Sequence, residues 1–261
     1  MARIYPLFSS SRGNSTYLGD QNAGVLIDAG VSCKSICDAL TSNEIPLTAV
    51  KAIFVTHIHS DHIYGLKVLS KKLGVPVCAQ ETNLKILIDR GFIDSKCELI
   101  PVDNESPVFA DHRISHFKTS HDVPASCGYK VEYPDGKTAA VCTDLGYISE
   151  TVISAIKGCE AILIESNYDK NMLEYGPYPR MLRNRIASPF GHLANDDCAA
   201  VLPWLLENGT TRFILGHLSQ ENNTPEIAED CAMDALIDSI RDRDYTLMTA
   251  KPSDNEGAVI F

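Results

Sequence analysis

The run Thr56-His57-Ile58-His59-Ser60-Asp61-His62 follows directly on the apolar segment Ala52-Ile53-Phe54-Val55, so a buried strand ends in a concentration of metal-binding side chains. Four such groups, His57, His59, Asp61 and His62, fall within six residues. Strand geometry places His57 and His59 on one side, and a turn or helix start then brings Asp61 and His62 to the same mouth from another direction. One loop can in this way feed two adjacent ions. An isolated histidine is usually a satisfied surface or core residue. This density of nitrogen and carboxylate donors at a strand end is instead the pattern of a metal site.

The chain of 261 residues, 44% hydrophobic and 22% charged, shows no repeat, low-complexity tract or linker rich in Pro, Gly and Ser. It reads as one domain over residues 1–261. The first residues are too soon interrupted by Ser9-Ser10-Ser11-Arg12 to form a signal peptide, and no apolar stretch approaches membrane-spanning length. A soluble, cytoplasmic protein is expected. The nine cysteines are odd in number and scattered, several of them in apolar runs, and read as reduced core residues. Cys33 and Cys37, four apart on a helix, read as structural, because no second pair follows at zinc-finger spacing.

A net charge of −11 excludes a protein that coats nucleic acid through general basicity. Any polyanion must be held locally. Lys67, Lys71 and Lys72 read as a solvated helix face opposite Leu66, Leu69 and Leu73, whereas Arg180, Arg183 and Arg185 cluster beside Tyr175 and Tyr178 and are candidates for substrate binding.

Apolar alternation and turn residues imply strands near 2–8, 14–19 and 24–28, a helix from Ser32, and the strand at 52–55. A helix at 63–73 and a strand at 75–78 follow, then a helix at 81–90 and strands near 97–101, 107–119, 127–133 and 138–142. Pro134-Asp135-Gly136 makes a hairpin of the last two. A helix at 149–157, buried strands at 161–164 and 212–215, a helix capped by Asn195 and kinked at Pro203, and a last helix opened by Thr224-Pro225 complete the pattern.

Further donors also sit after strands: His121 after Phe117-Lys118-Thr119-Ser120, Asp144 after Ala139 to Thr143, and His217 after Phe213-Ile214-Leu215-Gly216. His112 and His116 are left as ordinary strand residues. The order His-x-His-x-Asp-His, His, Asp, His resembles the metallo-β-lactamase superfamily. The segments Ser9 to Thr16, Thr143 to Gly146, Glu165 to Asp169, Gly191 to Asn195 and Leu215 to Asn223 resemble its YycJ/WalJ exonuclease branch. Arg12 within the serine-rich turn and Ala194, where a serine is usual, depart from that pattern without touching a donor.

The resemblance implies an α/β fold, the metallo-β-lactamase αβ/βα four-layer sandwich, with two divalent metal ions, Zn²⁺ or Mn²⁺. It implies His57, His59 and His121 on one ion, Asp61, His62 and His217 on the other, and Asp144 between them. Two close cations acidify a water and clamp a phosphoryl oxygen, so the implied chemistry is phosphodiester hydrolysis. Asp61 would take the proton of the attacking water. His192, ahead of a helix N-terminus that favours phosphate, would protonate the leaving group as a histidine in a comparable Gly-His segment is thought to do in RNase Z, and Glu165 would orient it. The expected partner is DNA, degraded 5′ to 3′ from double-stranded ends in a DNA-repair role, with Arg12, Arg180, Arg183 and Arg185 holding phosphates. The alternatives are a phosphodiesterase of small or cyclic nucleotides, an RNA-processing nuclease, or a non-catalytic regulatory module stabilised by metal.

Overall fold

The computed structural model describes residues 1–94, 96–253 and 259–261. Fourteen strands form two sheets among these residues. The first runs in the order β14 (Val259–Ile260), β1 (Arg3–Ser10), β2 (Gly13–Gly19), β3 (Gly24–Ile27), β4 (Val50–Phe54), β5 (Val77–Ala79) and β6 (Leu99–Pro101). The second runs β13 (Thr246–Thr249), β12 (Arg212–Gly216), β11 (Ala161–Glu165), β10 (Thr138–Cys142), β9 (Cys127–Glu132), β8 (His112–Lys118) and β7 (Val108–Phe109). Each sheet mixes antiparallel and parallel pairs: β3, β4, β5 and β6 run parallel in one, and β10 to β13 in the other.

The layering follows from side-chain alternation. Ile4, Leu18, Ile27, Ala52 and Phe54 of the first sheet meet Tyr129, Val141, Leu163 and Ile214 of the second in a shared core. The intervening residues Leu7, Tyr17, Leu26, Ile53 and Val55 turn outward under helices α1 (Cys33–Ser42), α3 (Leu66–Leu73) and α4 (Glu81–Asp89). On the far side, Cys142, Ile162, Ile164, Phe213 and Leu215 pack beneath α5 (Glu150–Ile156), α8 (Asn195–Ala199), α9 (Leu202–Glu207) and α10 (Pro225–Ala235). Strands covered on both faces need near-continuous apolar sequence, which these have. The αβ/βα sandwich expected from the sequence is therefore the observed fold.

Several local expectations change. The helix expected over 63–73 is two, α2 (Ser60–Ile63) and α3, separated at Gly65, whose amide donates to the Ala29 carbonyl and whose missing Cβ lets the Val31 carbonyl approach. Residues 107–119 form two strands because Ala110 and Asp111 adopt left-handed φ of 48° and 64° and turn the chain. Pro203 does not kink a continuous helix. It stands in the first turn of α9, where its missing N–H costs nothing. Asn195 is not a cap: Ala194 holds that position, and the Asn195 carboxamide bonds Ser166 and Asn223 instead. Two short helices that the sequence pattern did not mark, α6 (Lys170–Tyr175) and α7 (Arg180–Ile186), lie between β11 and α8. None of the nine cysteines is paired, and seven are buried. Among the described residues no helix is long and apolar enough to cross a membrane.

Candidate metal centre

The donors singled out in the sequence come together where the C-terminal ends of strands from both sheets meet. The loop after β4 carries His57 and His59, and α2 carries Asp61 and His62. His121 follows β8, Asp144 follows β10 and His217 follows β12. His57, His59 and His121 form one triad and Asp61, His62 and His217 another, the donor atoms of each lying within 4.8 Å of one another. Asp144 reaches both. Its Oδ1 is 3.7 Å from His121 Nε2 and 3.6 Å from His217 Nε2, while its Oδ2 is 3.3 Å from His62 Nε2.

His62 and His217 are each fixed by partners beneath them. Asp28, at the end of β3, accepts from the Thr56 amide and hydroxyl, both at 2.8 Å, and binds His62 Nδ1 at 2.7 Å, which turns His62 Nε2 inward. Glu165, at the end of β11, does the same for His217 Nδ1 at 2.7 Å and accepts from the amides of Leu145 and Leu193. The Asn14 carboxamide touches His62 Nε2 at 3.1 Å, and Asn167 donates to the His217 carbonyl at 2.6 Å. Gly30 is required for closeness, because a Cβ there would overlap the Asp61 carbonyl. Asp28, Asp144 and His217 all lie in the left-handed region, with φ of 64°, 59° and 56°. Such backbone costs on the order of 1–3 kcal/mol per residue and persists only where surroundings over-determine it.

The electrostatics call for a cation. Burial alone would depress His62 and His217, but Asp144, Asp28 and Asp61 together raise His62 well above an ordinary histidine, and Asp144, Asp61 and Glu165 raise His217 to about 10. Against the opposing effect of burial, His217, His62 and His57 hold Asp144 well below the usual carboxylate range. His57, by contrast, is kept low by burial and by neighbouring His62, as a neutral ligand needs to be. Among the described residues, His217 Nε2 and Asp144 Oδ2 are buried and make no hydrogen bond. Buried carboxylates that, without a cation, draw protons onto His62 and His217, with orphaned donor atoms turned to one centre, fit divalent metal ions.

His192 stands at the edge of this cluster. Its Nδ1 lies 2.8 Å from Glu165 Oε1, the oxygen that also holds His217, and its side chain lines the same cleft of about 300 Å³ as Asp61, Asp144 and His217. The phosphate-favouring helix expected after it is the five-residue α8, whose first turn carries Asp196 and Asp197, so that end is acidic. The arginines are not brought together as one patch. Arg185 faces the cleft in a two-bond pair with Asp122, at 2.6 and 3.0 Å, while Arg180 and Arg183 line a separate groove of about 770 Å³ on the other side of α7. Arg12 is exposed and lies 3.9 Å from Glu221. His112 is buried and bonded to the Ala110 carbonyl, away from the cluster. Sequence reasoning missed Asp28, Asn14 and Asn167; Asp28 had a signal in Asp-Ala-Gly at a strand end, but one shared with ordinary turns.

Residues 11–170 match the metallo-beta-lactamase superfamily. The chain is 37% identical over 225 residues to the exodeoxyribonuclease WalJ of Streptococcus pneumoniae, covering 85% of this chain and 83% of that protein. It is 36% identical to the exodeoxyribonuclease YycJ of Bacillus anthracis, over 85% of this chain and 84% of the other. Among solved structures, the metallo-beta-lactamase fold protein YhfI of Bacillus subtilis superposes with a TM-score of 0.71 at 14% identity, covering 97% of this chain and 98% of its own. That likeness is one of fold.

Proposed function

Since the chain belongs to the metallo-β-lactamase superfamily, and within it to the family of the WalJ and YycJ exodeoxyribonucleases, we propose that it is a metal-dependent phosphodiesterase that degrades DNA from an end. The observation that carries this reading is the seven-donor cluster with inward, unbonded His217 Nε2 and Asp144 Oδ2. His57, His59 and His121 would hold one divalent ion, Asp61, His62 and His217 a second, and Asp144 would span both. Five imidazoles and two carboxylates suit Zn²⁺ or Mn²⁺ better than Mg²⁺. The ions would supply an acidified water and neutralise charge on a phosphoryl oxygen.

The protein's own groups do the rest. Asp61, half-buried at the mouth, accepts the proton of the attacking water. Glu165 takes the Nδ1 proton of His192 in a hydrogen bond and so fixes the imidazole with Nε2 as its second working atom. Protonated there, His192 donates to the departing sugar oxygen. Glu165 acts as a positioning residue for both His192 and His217. Arg185, held by Asp122 beside His59 and His121, places a guanidinium at the cleft wall, where it meets the phosphate of the strand entering.

The test uses end-labelled double-stranded DNA, single-stranded DNA and RNA, each with a 5′-phosphate or 5′-hydroxyl, incubated with Zn²⁺- or Mn²⁺-loaded protein. Mononucleotides released progressively from one end of DNA are the expected result. Turnover confined to RNA, or to bis-p-nitrophenyl phosphate, would replace the DNA reading with an RNA-processing or small-phosphodiester one. No turnover of any phosphodiester would sink it.

A further inference from the structure

Helix α7 is a single-helix wall between two cavities of different chemistry. Leu182, Arg185 and Ile186 line the metal cleft, while Arg180, Arg183 and Asn184 line the outer groove. Helical steps of about 100° put these sets on opposite sides of one cylinder. Met181 falls between them, on the solvent flank where the two faces meet, and is 84% exposed. A single exposed apolar residue is ordinary by itself. Its position on the crest between a cutting site and a cationic groove is what gives this one meaning.

The two cavities differ in the way two parted strands would require. At about 300 Å³ the metal cleft lies at the lower end of small-molecule sites, room for about one nucleotide and not for a base pair. Asp144 and His217 at its floor are buried, so the blunt face of an intact duplex end does not reach them. The outer groove is larger and open. It offers Arg180 and Arg183, neither of which makes a salt bridge among the described residues. Tyr175, 80% exposed, presents an aromatic ring on the same groove. Two acids, Glu174 and Asp197, also line it, Asp197 lying 3.3 Å from Lys170, which pairs with Asp196 as well at 3.2 Å. Unpaired guanidinium groups beside a free aromatic face form the chemistry of sequence-tolerant single-strand binding.

We propose that α7 divides a DNA duplex end, with Met181 inserted at the terminal base pair, one strand passing into the metal cleft and its complement into the groove of Arg180, Arg183 and Tyr175. Apolar side chains used as wedges between bases, with the cost of unstacking offset by new contacts to the separated strands, are an established device in DNA recognition. The proposal rests on the DNA reading of the metal centre and adds to it the reason a duplex can be a substrate at all.

The experiment compares initial rates on a blunt duplex and on the same labelled strand alone, with metal-loaded protein. The ratio of duplex to single-strand rate should fall at least about fivefold in Met181→Ala, return toward the wild-type value in Met181→Leu, and fall again in the Arg180→Ala/Arg183→Ala double variant. A second readout is free of turnover: 2-aminopurine at the last position of the complementary strand should brighten when wild-type protein binds and stay dim with Met181→Ala. An unchanged ratio in these variants, or both rates falling together, overturns the wedge. So does wild-type protein that cuts single strands and leaves the duplex whole, although the exonuclease reading survives that result. Wild-type protein that cuts no DNA in either form removes both.

Discussion

Asp28 and Glu165 are buried carboxylates on opposite sheets, and each grips a histidine through Nδ1 at 2.7 Å, His62 in one case and His217 in the other. Beyond that they part. The remaining side-chain bonds of Asp28 close on Thr56, its amide and its hydroxyl, so Asp28 supports His62 and no second imidazole. Glu165 spends one oxygen on two imidazoles and the other on two backbone amides. The side built on the second sheet thus supports one histidine more than the two triads contain. A buried carboxylate that orients a spare, partly exposed imidazole beside a complete donor set is how a fold attaches proton transfer to a metal site.

The largest effect should come from the residue common to both sides. Asp144→Ala should lower occupancy at both ions and abolish turnover, whereas His116→Ala should leave metal content unchanged; metal analysis of the two purified variants decides it. Next in size, Asp28→Asn and Glu165→Gln should each weaken metal binding by roughly 10- to 100-fold, the usual cost of losing an outer partner of a ligand. The comparison predicts a split once metal is saturating. Asp28→Asn should then recover its rate, and Glu165→Gln should remain slow with an altered pH–rate profile, because it also touches His192. Equal recovery of both would erase the distinction between the two sides.

A smaller, thermodynamic effect follows from the charge balance. Without a cation, the raised His62 and His217 carry protons at neutral pH, the latter up to about 10. Metal binding should displace about two protons and grow tighter as pH rises toward that value. Titration calorimetry in buffers of different ionisation enthalpy reads the number directly, and a pH-independent affinity would contradict the balance described here. Smallest of all, Arg185→Ala removes a pair at the cleft wall that is open to solvent on both partners, so stability should drop by no more than about 1 kcal/mol in chemical unfolding.

Much of the site is legible in the sequence for a physical reason: strands buried on both faces are continuous apolar runs, and polar donors at their ends stand out sharply. His57 to His62, Asp144 and His217 all announce themselves in this way. Asp28 does not, because its bonds reach 28 residues to Thr56 and 34 to His62, and nothing local distinguishes it from a turn residue. Glu165 is legible as a partner of His192, but its hold on His217, 52 residues away, is not. Three arginines within six residues look like one patch. On a helix the 100° step sends Arg185 to the cleft and the other two to the opposite groove. Helices α6 and α7, at six and seven residues, are too short to display a period.

The most direct test of the central claim, that the second-sheet side carries a working imidazole outside the ligand set, is His192→Ala assayed for metal content and DNA turnover on the same preparation. The variant should retain both ions and lose roughly 10²- to 10⁴-fold in rate, the usual contribution of a general acid. If it instead loses metal in proportion to activity while His217→Ala keeps its metal, the two histidines exchange roles and the account fails.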